Sequence, residues 1–201
     1  MDILYTIISL VILLFSAILH EIAHGVAAER LGDPTARLAG RLTLNPKNHI
    51  DPMMSLALPL ILLFAGSPII IGAAKPVPVD PFNFRDGRKD LALVSLAGPL
   101  TNVAIAVVFS FILKIFPLEI IAIVVHLNLL LAIFNLIPIP PLDGSKIFSL
   151  LLPEKYANAF LSLGTVGIFI IFFLLLSNGP LSLGRLISSL LYFSEKLLGL
   201  Y

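Results

Sequence analysis

Residues 3–29 read ILYTIISLVILLFSAILHEIAHGVAAE, an apolar run long enough to cross a bilayer as a helix, with His20-Glu21-Ile22-Ala23-His24 set into its second half. Ionisable groups at membrane depth are expensive, so their presence marks a working site. On a helix, positions i and i+4 point the same way, and both imidazoles can reach one metal ion. Glu21 lies about a quarter-turn round from His20, where it can hold a water on that ion.

The surrounding composition agrees with a bilayer setting. Of 201 residues, 58% are hydrophobic and 12% charged, and the mean hydropathy is +1.04. A soluble domain needs more polar surface than that. A net charge of +1 and the lack of a dense basic tract give nucleic-acid binding no support. Cysteine is absent, so a metal site must draw on His, Asp or Glu. Met1-Asp2 supplies no basic leader and no small-residue cleavage site precedes the histidines, so the first run reads as a retained helix.

The expected fold is an all-α polytopic membrane protein with five to six membrane segments. Ile3–Glu29 forms the first. Residues 52–72 are apolar but interrupted by Pro59, Gly66 and Pro68. Leu91–Phe116, Leu118–Ile137, Ala159–Leu176 and Leu181–Leu198 follow, and the last, with Arg185 and Glu195, fits either a span or an interfacial helix. Arg30, Arg37, Arg41 and Lys47 follow the first segment, and Lys75, Arg85, Arg88 and Lys89 follow residues 52–72. The positive-inside rule puts both loops in the cytoplasm, so residues 52–72 enter and return rather than cross. A kinked crossing helix is the alternative. The alternation of proline and valine over residues 74–80 predicts a short extended or β stretch, with a plain cytoplasmic loop as its rival.

Two histidines do not complete a catalytic zinc site, which usually takes three protein ligands. Asp143 follows an apolar helix and the helix-breaking Pro138, Pro140 and Pro141, and Gly144 beside it permits an unusual backbone angle. Taken alone, Asp143 reads as a helix cap at the membrane surface. Beside the His/Glu motif, the ligand reading prevails.

These motifs together resemble the site-2 protease family of intramembrane zinc metalloproteases, in its small prokaryotic branch. His20 to His24 matches the family's His-Glu-x-x-His. Asn135-Leu136-Ile137-Pro138-Ile139-Pro140-Pro141-Leu142-Asp143-Gly144 matches its Asn-x-x-Pro-x-x-Pro-Leu-Asp-Gly pattern, and Ala97-Gly98-Pro99-Leu100-Thr101-Asn102 its Ala-Gly-Pro-x-x-Asn. Residues 74–79 also look like the prokaryotic branch. Ser145 stands where many relatives carry a second glycine. The resemblance covers residues 16–146, which implies a protease core over 1–146, C-terminal membrane helices over 147–201 and no separate soluble domain.

The resemblance implies a zinc endopeptidase that cuts membrane-spanning partners, with one Zn²⁺ held by His20, His24 and Asp143, and Glu21 as general base. By analogy with the family motifs, Asn102 and Asn135 are candidates to meet the substrate or its oxyanion; bonding to a neighbouring helix is the competing reading. The expected setting is a multi-pass cell-membrane protein with its active site toward the cytoplasm. The expected partners are a transmembrane substrate and the lipid bilayer. Re-entry of residues 52–72 agrees with this site, because it lets the first helix and Leu118–Ile137 end on one side, where the ligands can meet. His126, roughly 25 Å before Asp143 along a continuous helix, is expected to be a packing residue. His49 is expected to be solvated. A metal transporter would string polar groups along a pathway, and a non-catalytic protease-like scaffold would have lost Glu21 or a ligand. Neither pattern is present.

Overall fold

The computed structural model describes residues 3–50, 75–177, 179 and 182–200. Among them every regular element is helical. The α-helices are α1 (Ile3–Arg30), α2 (Thr35–Leu38), α3 (Arg88–Ile115), α4 (Glu119–Asn135), α5 (Asp143–Phe148), α6 (Glu154–Leu161), α7 (Gly164–Leu176) and α8 (Leu183–Leu198).

The core helix is α3, which packs along both α1 and α4. Residue pairs fix the directions. Ser16 meets Asn102 while His24 meets Val94, so α1 and α3 are antiparallel. Asn102 meets Asn128, and Ala106 clusters with Val125, so α3 and α4 are antiparallel too. Hence α1 and α4 run the same way, and His24 lies at the same end of the bundle as the turn that follows α4.

Burial along α1 is inverted relative to a soluble helix. Ser16, His20, His24, Gly25 and Ala28 are buried, while Ile3, Leu4, Ile7, Leu10 and Phe15 face outward. The same holds on α3, where Asn102 and Ser110 are buried and Val108, Phe111 and Ile115 are exposed. A helix solvated by lipid has this pattern, because tails satisfy apolar side chains and polar ones must find protein. In α8, Leu183, Ile187, Leu191 and Glu195 recur every fourth residue and form its buried stripe. That stripe packs against α4 and α7, so α8 joins the bundle rather than lying apart from it.

Two expectations change. By length and composition, α1 and α3 can cross a membrane, and α6 with α7, bent by 67°, make a third span if taken as one. Of the five to six expected segments, two or three are therefore confirmed among the described residues. The reason is length: α4 has 17 residues and α8 has 16, short of the roughly 20 that a full crossing needs. Residues 52–72, expected to re-enter, lie outside the described residues.

The β stretch near residues 74–80 is also not seen: residues 75–80 contain no strand or bridge. Their backbone groups are taken up elsewhere. Lys75 N–H donates to His49 O at 2.8 Å, Val77 N–H to Glu21 Oε2 at 2.7 Å and Asp80 N–H to Asp33 Oδ2 at 2.8 Å. Arg41 Nη2 donates to the carbonyls of Lys75 and Pro76, at 2.7 and 3.2 Å. Pro76 and Pro78 have no N–H to offer a ladder. The segment is threaded through side chains instead of pairing with a strand.

Asp33 anchors the far end of that segment. Gly32, at φ +111°, reverses the chain after α1, and Asp33 N–H returns to Ala28 O at 2.9 Å. The Asp33 carboxylate then accepts from Thr35 N–H, the Thr35 hydroxyl, Asn83 Nδ2 and Asp80 N–H. Burial alone would push this carboxyl up. The bonds from Thr35, Asn83 and the Asp80 amide outweigh it and hold the group below its usual range. A carboxyl depressed by folding contributes stability above its unfolded pKa, about 3.9, and that contribution is lost as pH falls through the folded value. Asp33→Asn would turn a donor toward one of these donors, so it is expected to lower thermal stability at pH 7 by about 1–3 kcal/mol. The melting temperatures of the two proteins in detergent should converge below about pH 4; a constant gap down to acid pH would refute the account.

Candidate metal centre

Two faces of α1 carry different work. His20 and His24, one turn apart, point toward α3. Glu21 and Gly25, also one turn apart, point toward residues 75–80. Each face needs a glycine. A Cβ at Gly98 of α3 would lie 2.5 Å from His24 Nε2 and 2.6 Å from His20 Nε2. Only a residue without a side chain lets α3 lie flush on the imidazole pair. A Cβ at Gly25 would lie 2.5 Å from Leu42 Cδ2 and 3.0 Å from Val77 Cγ1. That opening lets Val77 settle on α1 directly over the turn that carries Glu21.

Asp143 arrives from the far side. After α4, the run Pro138–Pro141 cannot continue the helix, and the chain folds back over the helix end. Gly144 sits so close that a Cβ would overlap the carbonyl oxygen of Leu136. Asp143 then opens α5 with its carboxylate on the histidines. Its Oδ2 is 3.1 Å from His20 Nε2 and 3.1 Å from His24 Nε2, and the two Nε2 atoms are 3.0 Å apart. The residues are 5%, 8% and 7% exposed. Lys146 Nζ donates to the other oxygen, Oδ1, at 3.1 Å.

The hydrogen-bond network decides what these three atoms can be. Asn128 Nδ2 donates to Val124 O, so its Oδ1 is the acceptor facing Asn102, at 2.9 Å. Asn102 Nδ2 is therefore the donor there, and also toward Ser16 O at 3.4 Å. Asn102 Oδ1 must then accept from His20 Nδ1–H, at 2.6 Å. His24 Nδ1–H donates to Val94 O at 2.7 Å. With both Nδ1 atoms carrying the proton, each neutral ring presents a bare lone pair at Nε2. Two such lone pairs and a carboxylate oxygen meet with no hydrogen among them. A buried cation is the natural way to satisfy that meeting.

Zinc fits the donor set. Bonds of about 2.0–2.2 Å in a tetrahedron put ligand atoms about 3.3–3.5 Å apart, close to the separations here. Two imidazoles and one carboxylate also leave a fourth position open, as catalytic sites require. Among the described residues, these three are the group that could hold a metal ion.

A cavity of about 510 Å³ opens on the site and is lined by His20, Glu21, His24, Val77, Asn135, Asp143 and Lys146, among others. The structure thus brings five of the six expected site residues to one space. Asn102 stands behind it, fully buried, with both ends of its amide engaged. Asn135 lines the cavity, and its Nδ2 donates to Leu131 O of its own helix at 3.0 Å. Four participants were missed from the sequence: Asn128, Gly98, Lys146 and Val77. Lys146 had a signal, three residues after Asp143 on a helix. His49, expected to be solvated, is fully buried, with its Nε2–H donating to Thr43 O of its own loop at 2.7 Å. His126 pairs with Glu195 at 2.7 Å and lines a separate cavity of about 360 Å³.

Comparison with known proteins agrees with this chemistry. The model of Peptidase family M50 matches residues 114–176, a stretch that contains Asp143. Three relatives carry the name "Putative zinc metalloprotease". YwhC of Bacillus subtilis is 38% identical over 163 residues, 74% of this chain and 69% of its own length. Rip2 of Mycobacterium tuberculosis is 36% identical over 138 residues, 65% of this chain and 52% of its own. MJ0611 of Methanocaldococcus jannaschii is 41% identical over 86 residues, 39% of this chain and 45% of its own. No solved structure matches the chain. On this similarity, and with an inside-out helix pair built around a two-histidine, one-aspartate centre, the chain belongs to peptidase family M50, the site-2 protease family.

Proposed function

We propose that this protein is an intramembrane zinc endopeptidase that hydrolyses peptide bonds in or near the transmembrane segments of membrane-protein substrates. The observation that carries the reading is the meeting of His20, His24 and Asp143 at 3.0–3.1 Å with Glu21 in the same cavity. His20, His24 and Asp143 hold the ion. When bound, zinc supplies Lewis-acid polarisation of the scissile carbonyl and makes water more acidic. Glu21 Oε2 is committed to Val77 N–H, so Oε1 takes the proton of the attacking water and passes it to the leaving amine. Asn102, backed by Asn128, keeps the His20 ring turned so that Nε2 faces the ion. Asn135 and Lys146, both on the cavity, are the donors nearest to hand for charge that develops on the substrate oxygen.

The arginines and lysines after α1 and before α3 support a multi-pass cell-membrane protein with this site on the cytoplasmic side. Residues 1–146 form the proteolytic core and 147–201 the C-terminal membrane helices. Cleavage at that depth releases a substrate fragment toward the cytoplasm, as in regulated intramembrane proteolysis. Buried polar groups are concentrated around the ion rather than strung along a path, which speaks against transport.

The deciding experiment is to purify the chain in detergent, assay bound zinc, and offer a panel of single-span model proteins. Glu21→Gln is expected to keep about one zinc per chain and to lower cleavage by about 10²–10⁴-fold. Equal cleavage by both proteins, or zinc flux into vesicles that survives the substitution, would overturn the protease reading. Asn102→Leu is expected to weaken zinc binding about 10–100-fold in a chelator competition; unchanged affinity would remove its positioning role.

A further inference from the structure

Arg41 is 8% exposed. Among the described residues it has no ion pair, and its Nε has no hydrogen-bond partner. The side-chain bonds it does make are to two successive carbonyls, Lys75 O and Pro76 O. Its two bonds to carbonyls place this guanidinium directly against the 75–80 segment. The second of those carbonyls shows what it achieves. Pro76 C=O and Val77 N–H are the two ends of one peptide group. Arg41 Nη2 lies 3.2 Å from the oxygen, and Glu21 Oε2 lies 2.7 Å from the nitrogen. One peptide thus stands between a guanidinium and the glutamate of the metal site. A donor on its oxygen polarises the peptide and strengthens the bond its N–H makes.

The segment that carries the peptide is held at several points. Lys75 N–H is held by His49 O, Val77 is seated over Gly25 on α1, and Asp33 holds Asp80 beyond it. A flexible glutamate side chain is therefore given one oxygen's position by a rigid backbone donor, which leaves the other oxygen for the cavity. We propose that Arg41 is a positioning residue for Glu21, acting through the Pro76–Val77 peptide. This rests on the protease reading, in which Glu21 moves the proton.

The test compares Arg41→Met, Arg41→Lys and Val77→Pro with wild type and with Glu21→Gln, on single-span model proteins that the wild type cuts. Val77→Pro removes the donor itself, while Arg41→Met removes its support. Both are expected to keep zinc stoichiometry and to lower kcat about 10–100-fold at unchanged KM, the scale of a catalytic group about 1 Å out of place. Arg41→Lys should recover most of the rate, since one ammonium can still reach the carbonyls. The double variant Arg41→Met/Val77→Pro should be no slower than the worse single, because both act on one link. Hydrogen exchange at the Val77 amide gives a readout free of catalysis: protection should fall in Arg41→Met and in Glu21→Ala. Wild-type kcat in both single variants, a rise in KM instead, or a rate loss that tracks zinc loss would each overturn the proposal. Failure of the parent reading looks different, because Glu21→Gln would then cut like wild type; Val77 protection that ignores both Arg41 and Glu21 would still sink the link itself.

Discussion

Two imidazole nitrogens and a carboxylate oxygen face one another across 3.0–3.1 Å while both Nδ1 atoms are spent on Asn102 and Val94, and the neighbouring elements are shaped around that meeting. Water would relieve such a convergence in a soluble loop. Between helices that face lipid, relief must come from an ion. Holding three donors ready for it requires a flush helix at Gly98, a chain reversal at Pro138–Gly144 and fixed tautomers on both rings. Interhelical hydrogen bonds in membranes average about 0.6 kcal/mol, so stability is a weak reason to bury Asn102 and Asn128. Control of the His20 ring is the stronger one.

The first helix shows how one segment serves two settings. Most of its apolar residues face outward, Ile18 excepted, and its small and polar residues face protein. Ser16, His20 and His24 form a stripe that reads against Val94, Gly98 and Asn102 of α3. Glu21 and Gly25, a quarter-turn away, receive residues 75–80. Glu21 and the histidine pair are thereby held by different neighbours, and a change in one contact need not disturb the other.

Much of the His20, His24 and Asp143 cluster was legible because it depends on local geometry. The spacing of His20 and His24 fixes their common face on any helix, and three prolines before Asp143 announce a turn wherever they occur. Partners supplied by distant chain were not legible. A lone Asn102 in an apolar helix can bond any neighbour, and nothing local reveals that its neighbours are His20 and Asn128. The alternation of proline and valine over 74–80 correctly excludes a helix, but a strand needs a mate, and Arg41, Glu21 and Asp33 had already claimed the backbone groups. His49 looked solvated because its loop is polar, while in the fold it is buried and bonded to Thr43 O of that loop. Not all the expected spans are confirmed among the described residues, because an apolar run of 20 residues on paper loses its ends to turns, as α4 does.

Beyond the metal ligands, α7 leans on the turn that aims one of them. Gly167 lies against the backbone of Pro140 so closely that a methyl group there would overlap its carbonyl oxygen, and Ile171 shares a cluster with Ile137. Pro140 is three residues from Asp143. The outer side of α7 exposes Phe169 and Phe173. Any side chain at 167 would have to displace the same turn that presents the Asp143 carboxylate.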